Sequence, residues 1–179
     1  MVSGVEQVAE YFVDAVKSMI DRPGAARALP TDGSLTAERA LELFDSQLGS
    51  RHLDLAARWL RSQGKGYYTI GSSGHEGNAA VAAALRPTDP ALLHYRSGGL
   101  FLERARQVPG SDLLRDVLLG LVAATEEPIS AGRHKVFGRR DLAVIPQTST
   151  IASHLPRAVG VAFSIDRSGK LGGRVARAV

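Results

Sequence analysis

GYYTIGSSGHEGNAAVAAALRPTDPALLHYRSGG, residues 66–99, is the stretch from which the rest of the chain is read. It alternates short apolar runs with glycine-rich turns and closes on Tyr95-Arg96-Ser97-Gly98-Gly99. Tyr67–Ile70 has the aromatic and β-branched composition of a strand. Ser73 and Glu76 stand three apart before the alanine-rich run Ala79–Leu85, the spacing of a capping box, and Arg86-Pro87 stops that helix. Leu92–Tyr95 reads as a second strand with Arg96 at its C-terminal end, and Ser97-Gly98-Gly99 opens a helix to about Arg106. Strand, polar turn and helix is the order in which α/β folds bind ligands at the ends of parallel strands. A guanidinium and a phenol at such a strand end suit a phosphate or diphosphate. The same pair also reads as a surface arginine beside a half-buried tyrosine.

Upstream, residues 1–35 form a leader in which Val5, Val8, Phe12, Val16 and Met19 or Ile20 can share one helical face. It either docks or stays mobile. Asp21-Arg22-Pro23-Gly24 breaks that helix. From Thr36 the apolar positions Leu41, Phe44, Leu48, Leu55, Trp59 and Leu60 keep helical spacing as far as Ser62. Gly49-Ser50 is a candidate break within it. The charged residues between, Arg51 and Asp54 among them, are expected on a solvated or subunit-facing side. Downstream, Ser111 is the expected cap of a helix whose apolar face runs from Leu113 to Val122. A polar loop, 126–140, carries Gly132-Arg133-His134-Lys135. Leu142–Ile145 is a third strand candidate, and Ile151–Ile165 a last apolar helix with Pro156 at its first turn or at a kink.

The 179 residues suit one domain or a little more, and 44% apolar residues are enough for a core. The net charge of +4 sits wholly in Arg167, Lys170, Arg174 and Arg177. It is a terminal feature, which argues against a nucleic-acid surface. No apolar run approaches the roughly 20 residues that span a bilayer, and no signal peptide is read at the start. A cytoplasmic protein without nucleic-acid or membrane partners is expected.

Cysteine is absent, which excludes disulfides and a thiolate nucleophile. Ser72 and Ser73 make no nucleophile elbow, because His75 stands where that motif needs glycine. Four histidines (His75, His94, His134, His154) lie in or beside turns, at separations that match no zinc pattern. His134, between Arg133 and Lys135, reads either as a proton-transfer group kept neutral by its neighbours or as an exposed loop histidine. Glu76 is accounted for by the capping box, with catalysis the weaker alternative.

The series SSGHEGNAAVAAAL, LLHYRSGG, SAGRHKVFG and IPQTSTIASHLPRAVGVAFSI, over Ala37 to Ile165, resembles the thiamine-diphosphate-dependent first component of 2-oxo-acid dehydrogenase complexes. The closest likeness is to the alpha subunit, or alpha half, of the branched-chain type. The resemblance implies an α/β fold, an incomplete thiamine-diphosphate-binding domain with a parallel sheet flanked by helices and a helical N-terminal lead-in. Residues 36–166 would be the N-terminal part of that domain and 167–179 a basic, glycine-rich, disordered tail. It implies that Tyr95 and Arg96 hold the cofactor's diphosphate, that Ser149 and Ile151 meet the aminopyrimidine through backbone groups, and that His134 faces the reacting centre. GRHKVFG departs from the commoner family pattern around His134. His154 replaces an amide where some members hold potassium, so no metal ligand is assigned.

The implied reaction decarboxylates a branched-chain 2-oxo acid and passes the acyl group to lipoamide. The implied partners are a beta subunit or beta-like domain and a lipoyl acyltransferase, in a homo- or hetero-oligomer. The family's magnesium motif, glycine-aspartate-glycine with a later asparagine, has no counterpart, since Gly172-Gly173 is followed by Arg174. The Mg2+ ligands are therefore expected outside this chain, which reads as an N-terminal portion inactive by itself. The alternative is a non-catalytic α/β interaction module that retains the scaffold.

Overall fold

The structure is a computed structural model that describes residues 4–20, 35–67, 71–110, 112–132, 137–147 and 150–170. The chain divides into two compact units, residues 1–37 and 38–179. The first contains α1 (Gly4–Ile20), whose Phe12, Val16 and Met19 fall on one face and are exposed.

The second unit contains α2 (Ala37–Ser62), α3 (Asn78–Ala84), α4 (Gly98–Arg106), α5 (Leu113–Leu121) and α6 (His154–Lys170). Gly49-Ser50 does not divide α2. The two small residues instead admit α4, because a Cβ on Gly49 would lie 3.1 Å from Leu102 Cδ1 and Ser50 is buried. The cap of α5 is Asp112, whose carboxylate accepts the Arg115 N–H at 3.2 Å; the expected cap, Ser111, lies outside the described residues. Pro156 falls in the first turn of α6, where its missing N–H costs no helical bond. That helix runs on to Lys170; residues 171–179 lie outside the described residues.

The α/β architecture expected from the sequence is overturned. Among the described residues there are helices and isolated bridges, with no strand and no sheet. Leu142–Ile145 meets the other candidate strand region at one parallel bridge, Ala91 to Val144. There Ala91 donates to Ala143 O (2.9 Å) and Ile145 donates to Ala91 O (2.8 Å). The next rung toward Asp89 does not form: Ala143, at φ 51°, gives its N–H to Arg140 O in a tight turn, and Asp89 O accepts from Arg104 Nη1 instead. Tyr67 donates to Leu121 O, and the rest of the first strand candidate, 68–70, lies outside the described residues.

The core is built from α2 (Leu53, Ala57), α3 (Ala82), α4 (Leu100–Leu102), α5 (Leu113, Val117, Leu121) and the linking segments (Ala91, Leu93, Phe137, Leu142, Val144). The charged neighbours Glu103 and Arg104 are as deeply buried as any of them. Glu103 accepts from Ser46 Oγ at 2.7 Å and pairs with Arg39. Arg104 Nη1 donates to the carbonyls of Pro87 (3.0 Å), Asp89 (2.9 Å) and Leu142 (3.3 Å), tying both bridge-forming segments to α4. Burial disfavours its charged form and lowers its pKa, against a smaller opposing pull from Asp89.

Candidate functional site

The helix starts and the links before them put the candidate residues side by side. Ala91, pinned by its bridge to Val144, leads through Leu93 in the core to His94, Tyr95 and Arg96. Ser97 N–H donates to His94 O (2.9 Å), so the chain turns sharply into α4. The glycines that follow serve close packing. A Cβ on Gly98 would meet Ser50 Oγ at 2.5 Å, and one on Gly99 would meet the Glu76 carbonyl at 2.7 Å.

Arg96 folds back over its own neighbour. Its guanidinium carbon is 5.4 Å from the Tyr95 ring centroid, and Nη1 donates to Gly71 O at 2.5 Å. This joins the turn before α4 to the turn before α3. Ser72, next in that turn, donates to Asp54 Oδ2 from both backbone and hydroxyl, each at 2.8 Å. Asp54 also lies 3.5 Å from Arg51.

Glu76 is not a helix cap. The N-cap of α3 is Gly77, with no side-chain cap bond. The Glu76 carboxylate instead accepts from Ser72 Oγ (3.2 Å) and lies 3.6 Å from Arg51. Ser73 likewise turns away, accepting from Arg51 Nη1 at 3.1 Å. The box fails because helical geometry begins at Asn78, too late for the Ser73 hydroxyl to reach an orphan N–H. Arg51 and Asp54, expected on a solvated or subunit-facing side, belong to this network.

Three histidines meet on the other side of the turn. The His94 ring is 3.9 Å from Tyr95, 5.9 Å from His75, which it stacks upon, and 6.4 Å from His154, edge-on. His154 arrives because it opens α6, whose Arg157 Nη1 donates to Pro146 O at 2.8 Å, just beyond the Ala91 bridge. Burial, then the basic neighbours His75, Arg96 and His154, push the His94 pKa below its ordinary value. The separations of these histidines along the chain hid this grouping; the one available signal was that each lies beside a turn.

Of the residues named from the sequence, Tyr95 and Arg96 form this turn, and Ile151 stands exposed three positions before His154. His134 and Ser149 lie outside the described residues. A cavity of about 20 Å³ lies against Tyr95 and Arg96, lined also by Ser50, Asp54, Ser72 and Phe137. That is room for about one water, so a diphosphate would have to sit on the outer side of the turn. The described residues contain no grouping of acids or histidines that could hold a metal ion. None of their helices is long and apolar enough to cross a membrane.

No protein-family model matches the chain. It is similar to the 2-oxoisovalerate dehydrogenase subunit alpha of Bacillus subtilis (strain 168), at 27% identity over 135 residues, or 73% of this chain. The match spans 39% of that subunit's length.

Proposed function

We propose that the chain supplies part of the cofactor site of a thiamine-diphosphate-dependent dehydrogenase acting on branched-chain 2-oxo acids. The similarity to a 2-oxoisovalerate dehydrogenase alpha subunit supports the reaction class. The observation that carries the reading is the charge around the Tyr95-Arg96 turn. The two nearby carboxylates are engaged with Ser72 and Arg51, while Arg96 and His94 both lie against the Tyr95 ring and His75 stacks on His94. Such a surface favours a diphosphate over a cation.

In this reading the Arg96 guanidinium and the Tyr95 hydroxyl hold the diphosphate. Backbone groups of Ser149 and Ile151 orient the aminopyrimidine, and His134 moves a proton at the reacting centre. Thiamine diphosphate, when bound, supplies the electron sink for decarboxylation. Mg2+ needs oxygen ligands, and these are to come from outside the described residues. A beta subunit and a lipoyl acyltransferase are the proposed partners.

Calorimetric titration of thiamine diphosphate with Mg2+ tests this, using the chain alone and mixed with a beta subunit of a branched-chain 2-oxo-acid dehydrogenase. Binding is expected in the mixture, weakened roughly tenfold or more by Arg96→Gln, since a hydrogen bond to a charged group contributes about 1.5–3 kcal/mol. Binding indifferent to Arg96 would remove its role, and no binding in either sample would overturn the reading.

A second reading, a non-catalytic interaction module, is favoured by the exposed apolar stripes Leu41, Phe44, Leu55, Trp59 on α2 and Leu155, Val159, Phe163 on α6. It predicts stable association with a partner protein and no affinity for the cofactor in any mixture.

A further inference from the structure

We infer that His75, His94 and His154 complete, with Arg96, an anion site that takes up a proton when a phosphate-type ligand binds. The inference rests on the reading of Tyr95-Arg96 as an anion grip and extends it to three residues with no assigned role.

The geometry carries it. Three imidazoles from three separate elements converge: the turn before α3, the link before α4 and the first residue of α6. The central ring, His94, is within 6.4 Å of both others and directly against Tyr95. Its Nδ1 accepts the Arg96 backbone N–H at 3.3 Å, which assigns the neutral ring with its proton on Nε2. A proton on Nδ1 would set two donors against each other. His154 Nδ1 is buried without a hydrogen-bond partner, so packing against His94, not a bond at that nitrogen, holds the ring.

The ionisable groups that act on His94 from its surroundings are all basic: His75, Arg96 and His154. Burial and these three together hold its proton affinity low. The carboxylates of the neighbourhood, Asp54 and Glu76, are engaged with Ser72 and Arg51 and are not among the groups acting on it. An anion at the outer side of the turn reverses that balance. It accepts the Arg96 N–H in place of His94 Nδ1, and its charge stabilises imidazolium where burial and the neighbouring basic groups opposed it. Linkage then requires that binding take up a proton at a pH where the free site is neutral, and that affinity fall as pH rises.

Two measurements on the whole chain, with inorganic pyrophosphate as probe, test this. In ligand-free protein the His94 ring resonance should titrate below the ordinary histidine midpoint of about 6.5, and pyrophosphate should raise that midpoint. Calorimetry in two buffers of different ionisation heat should show more proton uptake by wild type than by His94→Gln. Protonation of the ligand itself is common to both proteins and cancels. Each proton taken up should weaken binding by roughly tenfold per pH unit between the free midpoint and the raised bound midpoint, an excess that His94→Gln removes. An unmoved His94 midpoint, or equal proton uptake by wild type and variant, would overturn the inference. Thiamine diphosphate with Mg2+ and the beta subunit separates the two ideas. Cofactor binding without a histidine shift leaves the functional reading standing and sinks this one. A pyrophosphate-linked histidine shift without cofactor binding does the reverse.

Discussion

Helices α4 and α6 have opposite relations to solvent, and neither follows its composition. In α4 seven consecutive residues, Gly98 to Arg104, are buried, and two of them are an acid and a base. In α6, which reads as a last apolar helix, Val159 and Phe163 are 71% and 64% exposed, and Ser168 alone is buried. The difference teaches that burial here depends on what surrounds a helix. α4 has α2, α3 and both bridge-forming segments around it, so Glu103 and Arg104 find partners. α6 is anchored at its first turn by Arg157, and its apolar side chains beyond that turn remain exposed.

The sharpest way to break the contrast is Arg104→Ala. It removes three charge-assisted bonds to carbonyls and opens a cavity, so a loss of about 4 kcal/mol in urea unfolding is expected. A loss under about 1 kcal/mol would mean the buried arginine does not hold the bridge-forming segments to α4. Next comes Arg39→Ala, which leaves the buried Glu103 carboxylate accepting from Ser46 without its guanidinium partner and should cost about 3 kcal/mol. Ser46→Ala should cost about 1 kcal/mol.

A smaller effect with a pH signature belongs to Glu127 in the loop after α5. Burial pushes its pKa up, but hydrogen bonds from Ser130, Ile129 and Gly132 outweigh burial together and leave it lowered from 4.5. The folded pKa is the lower one, so this carboxylate's stabilisation is complete above the unfolded value of 4.5 and fades as pH falls through the folded value. Glu127→Gln should therefore cost about 1 kcal/mol at pH 7. The gap to wild type should narrow as pH falls below 4.5; a gap that widens in acid would contradict the assignment. The smallest effect is expected in α6. Phe163→Asp should shift the stability of the isolated chain by less than about 0.5 kcal/mol, while lowering self-association measured by sedimentation. A large destabilisation would show that the α6 face is packed in solution.

The helices were largely legible because 3.6-residue periodicity is a local property. The spacing of Leu113, Val117 and Leu121 marks α5 without reference to the rest of the chain. The sheet was misread because runs of four apolar residues, such as Leu142–Ile145, do not distinguish a strand from a buried link. Whether they pair depends on neighbours, and here Arg140 and Arg104 engage the Ala143 N–H and the Asp89 carbonyl that the next rung would need. Tyr95 and Arg96 could be picked out as candidates from a turn and a resemblance. Arg51, Asp54 and Ser72 could not, since Asp54 looks like any exposed helical acid until Ser72 folds onto it.

By itself the sequence determined the positions of most helices, the concentration of net charge at the C-terminus, the lack of thiol chemistry and a likeness to one dehydrogenase class. These follow from side-chain identity and from spacing over a few residues. The tertiary structure alone decided that Glu103 and Arg104 lie inside, that Glu76 faces Arg51 instead of capping α3, and that three histidines distant in sequence surround one turn. Desolvation and charge–charge interaction depend on which atoms lie within a few ångströms, and chain order does not encode that distance.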